Sequence, residues 1–199
     1  DLVRSRGLGD VYKRQSIAND IARIVMTDSK GRVWIGTRDG LSYYDEEKDK
    51  FQNFFYEKNG KHLQVNGIVE LSPDRLLIST LEGLTMFDVS TSRFVNDIFS
   101  TAMHKTIASA LYRHGDQIYI GTPSDGMYCY SVPQKKLEKL TYIPSSKQIQ
   151  GILQQSPTRI WVATEGSGLL LINPKTREVK IYRHSPSNPQ SISSNYIRS

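Results

Sequence analysis

A four-residue phrase recurs along the chain: Trp34-Ile35-Gly36-Thr37, Leu77-Ile78-Ser79-Thr80, Tyr119-Ile120-Gly121-Thr122 and Trp161-Val162-Ala163-Thr164. Its first residues are 43, 42 and 42 positions apart. A period of roughly 40–45 residues, built from short apolar strands and turns, marks the blades of a β-propeller. Function in such an array is expected in loops and partners rather than in a compact catalytic motif.

Each unit repeats a fixed order of physical demands. It opens with an apolar triplet: Ile21/Ile24/Val25, Val65/Ile68/Val69, Ile107/Ala110/Leu111 and Ile149/Ile152/Leu153. The i, i+3, i+4 spacing imitates a helix, but a turn follows at once, so the run reads as a strand entering a hairpin. The phrase itself is nearly all apolar, which suits a strand covered on both faces. Trp34 and Trp161 are therefore expected in the core. The small residue Gly36, Ser79, Gly121 or Ala163 is expected to permit close approach of a neighbouring backbone. Gly40, Gly83, Gly126 and Gly168 are expected to supply positive φ at the next turn. Five positions after each glycine stands a turn former (Asp45, Asp88, Ser131, Asn173), and eleven after it an apolar residue opens a last strand (Phe51, Phe94, Leu137, Val179). The expected fold is all-β: a β-propeller fragment with four blades of four antiparallel strands, at about 21–60, 65–100, 107–143 and 149–184. One such meander cannot bury both faces alone, so stacking on its neighbour supplies the core.

Composition narrows the function classes. No apolar run approaches the roughly 18 residues of a membrane-spanning helix. Of the formal charge of +6, residues 1–15 contribute +2, from Arg4, Arg6, Lys13 and Arg14 against Asp1 and Asp10. The other cations are scattered through turns rather than clustered as a nucleic-acid footprint. Lone Cys129 excludes an intrachain disulfide and sits in an apolar run that implies packing. Residues 1–15 do not follow the repeat and resemble translated sequencing-adapter sequence, so they are read as a non-native leader. Ser185 to Ile197 reads as a loop leading into a fifth unit, and the chain is read as a piece cut at both ends.

The run Asp28-Ser29-Lys30-Gly31-Arg32-Val33-Trp34-Ile35-Gly36-Thr37-Arg38-Asp39-Gly40-Leu41, with Ser191-Ile192-Ser193-Ser194-Asn195-Tyr196-Ile197, closely resembles the two-component regulator propeller repeat. Unit two departs from it with Leu77 and Ser79, and unit three with Tyr119. The resemblance implies the periplasmic sensor region of a membrane-anchored hybrid two-component regulator from Bacteroidetes. Its ligand would be an oligosaccharide released from a glycan. Its partners would be neighbouring blades and a second copy of the parent sensor, with signalling to a downstream histidine kinase. This segment itself would be non-catalytic.

No metal-protease helix motif, phosphate loop or nucleophile elbow occurs, and no cofactor, metal or catalytic residue is assigned. By analogy with propellers in general, the loop between the second and third strands and the interblade connections share one face and form the ligand side. That places Arg38, Asp39, Glu82, Ser124, Asp125, Glu165 and Ser167 in the loops, and Tyr56, His62, His104 and His184 in the connections. The acidic loop residues would line a polar rim for a sugar or simply keep a hairpin solvated. The histidines have solvated loop positions as their bland reading. A propeller enzyme of lyase type and a protein-interaction scaffold remain the competing functions.

Overall fold

The protein is described from a computed structural model, which covers residues 16–58, 60–95, 107–144 and 148–198. The expected non-native leader over 1–15 lies outside them. No described residue is helical, and every sheet is antiparallel. The chain forms two compact units divided near Lys105.

In the first unit, β1 (Ala22–Thr27), β2 (Val33–Thr37), β3 (Gly40–Asp45) and β4 (Lys50–Phe54) make one meander. A two-stranded hairpin follows, β5 (Glu57–Lys58) and β6 (Lys61–His62). The second meander is β7 (Val65–Ser72), β8 (Arg75–Thr80), β9 (Gly83–Asp88) and β10 (Arg93–Val95). The second unit holds β11 (Ala110–His114), β12 (Gln117–Gly121), β13 (Met127–Ser131) and β14 (Lys136–Lys139). It continues with β15 (Ile149–Ser156), β16 (Arg159–Thr164), β17 (Leu169–Asn173) and β18 (Glu178–Tyr182). These are the four blades. Each strand is short and bounded by the turn residues that the repeat supplies. The last hairpin of each blade also puts one non-glycine residue at positive φ: Asp49, Ser92, Lys135 or Arg177.

Within a unit, strand pleating aims alternate side chains at opposite faces. Trp34 joins Leu41 from the first sheet to Val65, Ile68, Leu76, Ile78 and Phe87 of the second in one buried cluster. The second unit repeats this with Tyr119 and Met127 against Ile149, Ile160, Val162, Leu170 and Ile172. In β8, Leu76, Leu77 and Ile78 are all fully buried, as its unbroken apolar sequence requires.

Trp161 departs from expectation. It is only half-buried, because Ile160 and Val162 take the face of the last sheet that packs on the third. Trp161 shares the other face with its cross-strand partner Leu153, which is 57% exposed.

The small residue in the repeat also has a different use from the one expected. A Cβ built on Gly36 would fall 2.6 Å from Val65 Cγ1, and one on Gly121 would fall 2.5 Å from Ile149 Cγ2. Ile24 Cγ2 of the same blade lies equally close to the Gly36 position, so the space is needed by side chains, the first apolar one of the next blade among them, and not by a neighbouring backbone. Val65 and Ile149 are fully buried in these seats. Ile21 and Ile107, which precede the first sheet of each unit, are 43% and 40% exposed.

Asp28, expected only as a turn residue, is a buried hub. Its Oδ2 accepts from Trp34 Nε1 at 2.9 Å and Arg32 Nε at 2.6 Å, and its Oδ1 accepts from the Lys30 and Arg32 amides. Arg32 continues to the Pro73 carbonyl of the second blade. The last blade repeats the geometry with a neutral acceptor: Gln155 Oε1 receives Trp161 Nε1 at 2.9 Å and Arg159 Nε at 3.1 Å. Burial disfavours charge on Asp28, but the Trp34 and Arg32 hydrogen bonds outweigh it and hold the carboxyl below its ordinary value.

Gly121→Val should overfill the Ile149 seat and cost about 2 kcal/mol in urea unfolding. Asp28→Ala should cost about 2 kcal/mol at neutral pH, since it strands the Trp34 and Arg32 donors. A depressed native pKa adds stability above the unfolded value and loses it as pH falls through the native one. The gap between wild type and Asp28→Ala in urea titrations should therefore narrow below about pH 4.

Candidate functional site

The threonine that ends each phrase controls the loop that follows. Thr37, Thr80, Thr122 and Thr164 are all buried. Their Oγ1 hydroxyls donate to the carbonyls of Gly40, Gly83, Gly126 and Gly168 at 3.0, 2.9, 2.9 and 2.6 Å. Each also accepts a loop amide, from Asp39, Glu82, Asp125 or Ser167. One hydroxyl thus closes the loop at both ends. The glycine is needed as predicted: Gly168 has φ +85°, and a Cβ there would lie 2.2 Å from the Tyr182 carbonyl oxygen.

In the first unit this clamp presents Arg38-Asp39 and Leu81-Glu82 beside the connection that holds β5 and β6. That connection is anchored by buried Leu63, whose amide donates to the Tyr56 carbonyl at 2.9 Å. The His62 ring stacks on Phe55 with centroids 4.4 Å apart, and its Nε2 lies 3.0 Å from Glu57 Oε1. The result is an open cleft of about 530 Å³ lined by Arg38, Asp39, Lys61, His62, Leu63, Gln64, Leu81 and Glu82. Asp39 Oδ2 accepts from Asn19 Nδ2 at 2.8 Å, and Gln64 Nε2 donates to Asn66 Oδ1 at 2.5 Å.

Four residues singled out in the sequence therefore meet in one place: Arg38, Asp39, His62 and Glu82. Tyr56 does not line the cleft. Its ring packs on Phe94 at 5.1 Å. His104 lies outside the described residues. Sequence reasoning missed Lys61, Gln64 and Leu81. Two signals in the sequence pointed there: Asn-Gly is a dipeptide that favours a hairpin turn and stands just before Lys61, and Leu81 is a large apolar residue in a loop of otherwise polar type. It is 54% exposed.

The remaining choices belong to the second unit, each with its own surroundings. Ser124 is exposed. Asp125 accepts from Tyr128 Oη and Lys139 Nζ. The Lys139 and Tyr128 hydrogen bonds hold its carboxyl below the usual range, while the Tyr128 phenol is pushed up to about 12 by the same contact. Glu165 Oε2 accepts from Gln150 Nε2 at 3.1 Å, and its backbone pairs with Tyr196. Ser167 serves the Thr164 clamp through its amide. His184 holds the following loop, with Nδ1 2.8 Å from the Ile192 carbonyl oxygen and its amide donating to Asn195 Oδ1. The Ile197 amide donates to the Thr164 carbonyl at 3.1 Å, as the Ile149 amide does to Thr122.

Cys129 packs against the second core, and burial, with the charge of Glu138, pushes its thiol up to about 11. It is a packing residue, protonated at neutral pH. Among the described residues no three His, Cys, Asp or Glu side chains are grouped to hold a metal ion.

Comparison by sequence matches the chain to no protein-family profile and to no curated protein. Comparison of structures is more informative. The extracellular domain of the hybrid two-component system BT3049 from B. thetaiotaomicron superposes with a TM-score of 0.74 at 20% identity, over 93% of this chain and 24% of that one. The extracellular domain of the one-component system BT4673 from the same organism gives 0.71 at 17% identity, over 94% and 26%. PorZ, a surface component of the type-IX secretion system of Porphyromonas gingivalis, gives 0.65 at 16% identity, over 89% and 29%. The fold is that of a β-propeller. The chain spans about a quarter of the length of the first two. Their likeness agrees with the resemblance that the repeats carry to two-component regulator propellers.

The loop clamp is open to test. Thr80→Val keeps the shape but leaves the Glu82 amide and the Gly83 carbonyl without their shared partner. It should cost about 1–2 kcal/mol and speed hydrogen exchange at the Glu82 amide, read by NMR against wild type.

Proposed function

We propose that the chain is a ligand-binding, non-catalytic part of an extracytoplasmic sensor of two-component-regulator type. Binding occurs in the cleft between the Arg38-Asp39 loop, the Leu81-Glu82 loop and the β5–β6 connection. The observation that carries this reading is the convergence of two clamped loops and one connection on a single open cavity of ligand size. Its lining mixes apolar surface (Leu63, Leu81), the imidazole of His62 and a few polar groups, the combination that suits a sugar. The family resemblance and the extracellular two-component domains among the structural neighbours favour a glycan-derived oligosaccharide as ligand. They also favour a periplasmic location in an inner-membrane protein, a dimeric parent sensor and a kinase downstream. For a signal to arise, the ligand must favour one arrangement of the sensor over another.

An oligosaccharide panel read by thermal unfolding tests the proposal. A true ligand raises the midpoint in a concentration-dependent way, and His62→Ala, at a half-exposed side chain, should reduce that shift without lowering the unliganded midpoint. Conversion of the sugar to product would move the assignment to a propeller enzyme. Ligand-induced stabilisation that His62→Ala leaves intact would place the site elsewhere.

A further inference from the structure

The polar groups lining the cleft are not equally available to a ligand. Asp39 already accepts from Asn19 Nδ2, His62 is held by Glu57, Gln64 donates to Asn66, and Glu82 is also engaged. Arg38 and Lys61 are the exceptions: neither has an ion-pair or hydrogen-bond partner for its side chain among the described residues. Both are donors without acceptor capacity. Arg38 lies on the first blade loop and Lys61 in the β5–β6 hairpin, and among the described residues neither cation has an acceptor.

Resting on the reading of this cleft as the ligand site, we propose that it takes an acidic oligosaccharide, whose carboxylate or sulfate group is bound by Arg38 and Lys61. A guanidinium offers paired N–H donors that match either anion, and an ammonium adds a point charge. The apolar side of a sugar ring has two surfaces to rest on, exposed Leu81 and the imidazole of His62, which Phe55 backs by stacking. The carboxylates of Asp39 and Glu82 border the same cavity and face the hydroxyls rather than the anionic group, since sugar hydroxyls donate where an anion only accepts.

Calorimetric titration of the full chain with trigalacturonate, a sulfated galactose disaccharide and neutral galactotriose tests this. At least one acidic sugar should bind about tenfold tighter than galactotriose, and Arg38→Gln or Lys61→Gln should each remove about that factor. Lys61→Arg should retain binding, and raising salt from about 50 to about 500 mM should weaken it. Binding of trigalacturonate alone identifies a carboxylate, and binding of the sulfated sugar alone identifies a sulfate ester. Galactotriose binding as tightly as either, with Arg38→Gln and Lys61→Gln silent, overturns the anionic preference and leaves the sugar-sensor reading standing. No binding by any of the three overturns both. Arg38 and Lys61 are exposed, so unchanged urea unfolding of the variants separates lost contacts from lost fold.

Discussion

The seating of one side chain on a gap in the preceding sheet organises each unit. Val65 occupies the space that a Cβ on Gly36 would need, and Ile149 does the same over Gly121. These seats bring the sheets close enough for Trp34 to meet Phe87 at 5.6 Å between centroids, and for Tyr119 to join Ile160 and Val162. A sheet of four short strands has too little apolar area of its own, so burial between paired sheets supplies most of the stabilisation.

The seat and the loop clamp are consecutive residues: Gly36 then Thr37, Gly121 then Thr122. Packing between blades and presentation of the loop are thus coupled through one backbone segment. The Ile149 amide bonds to the Thr122 carbonyl, while the Thr122 hydroxyl closes the loop beyond it. A rigid end to the second strand is what allows loop residues of varied chemistry, Arg38-Asp39 in one blade and Leu81-Glu82 in the next, to be held in defined positions.

Much of the blade was legible in the chain because its demands are local. Glycines at Gly40 and Gly168 answer a turn whose φ is positive, and Asp45 and Asp88 cap their hairpins through backbone amides. Hubs were not legible. Asp28 reads as a turn residue, and only the folded sheet brings Trp34 Nε1 to its carboxylate. Trp161 carries the same local signature as Trp34, yet it stays half-buried, since burial depends on what lies across the face and not on the strand itself. The candidate site was half visible: Arg38, Asp39, His62 and Glu82 were chosen from loop position, but Tyr56, chosen by the same rule, turns onto Phe94. The hairpin that adds Lys61 and Gln64 breaks the repeat, so a reading built on the repeat passed over it.

Periodicity, turn chemistry and strand alternation are properties of neighbouring residues, and they settled the all-β class, the four meanders and the order of their strands. Which groups remain available to a ligand is a property of the completed hydrogen-bond network. Asp39 and Arg38 are adjacent in the chain and equally polar. Only the tertiary structure, by bringing Asn19 to one and, among the described residues, no acceptor to the other, separates a satisfied carboxylate from a cation with its donors still to fill.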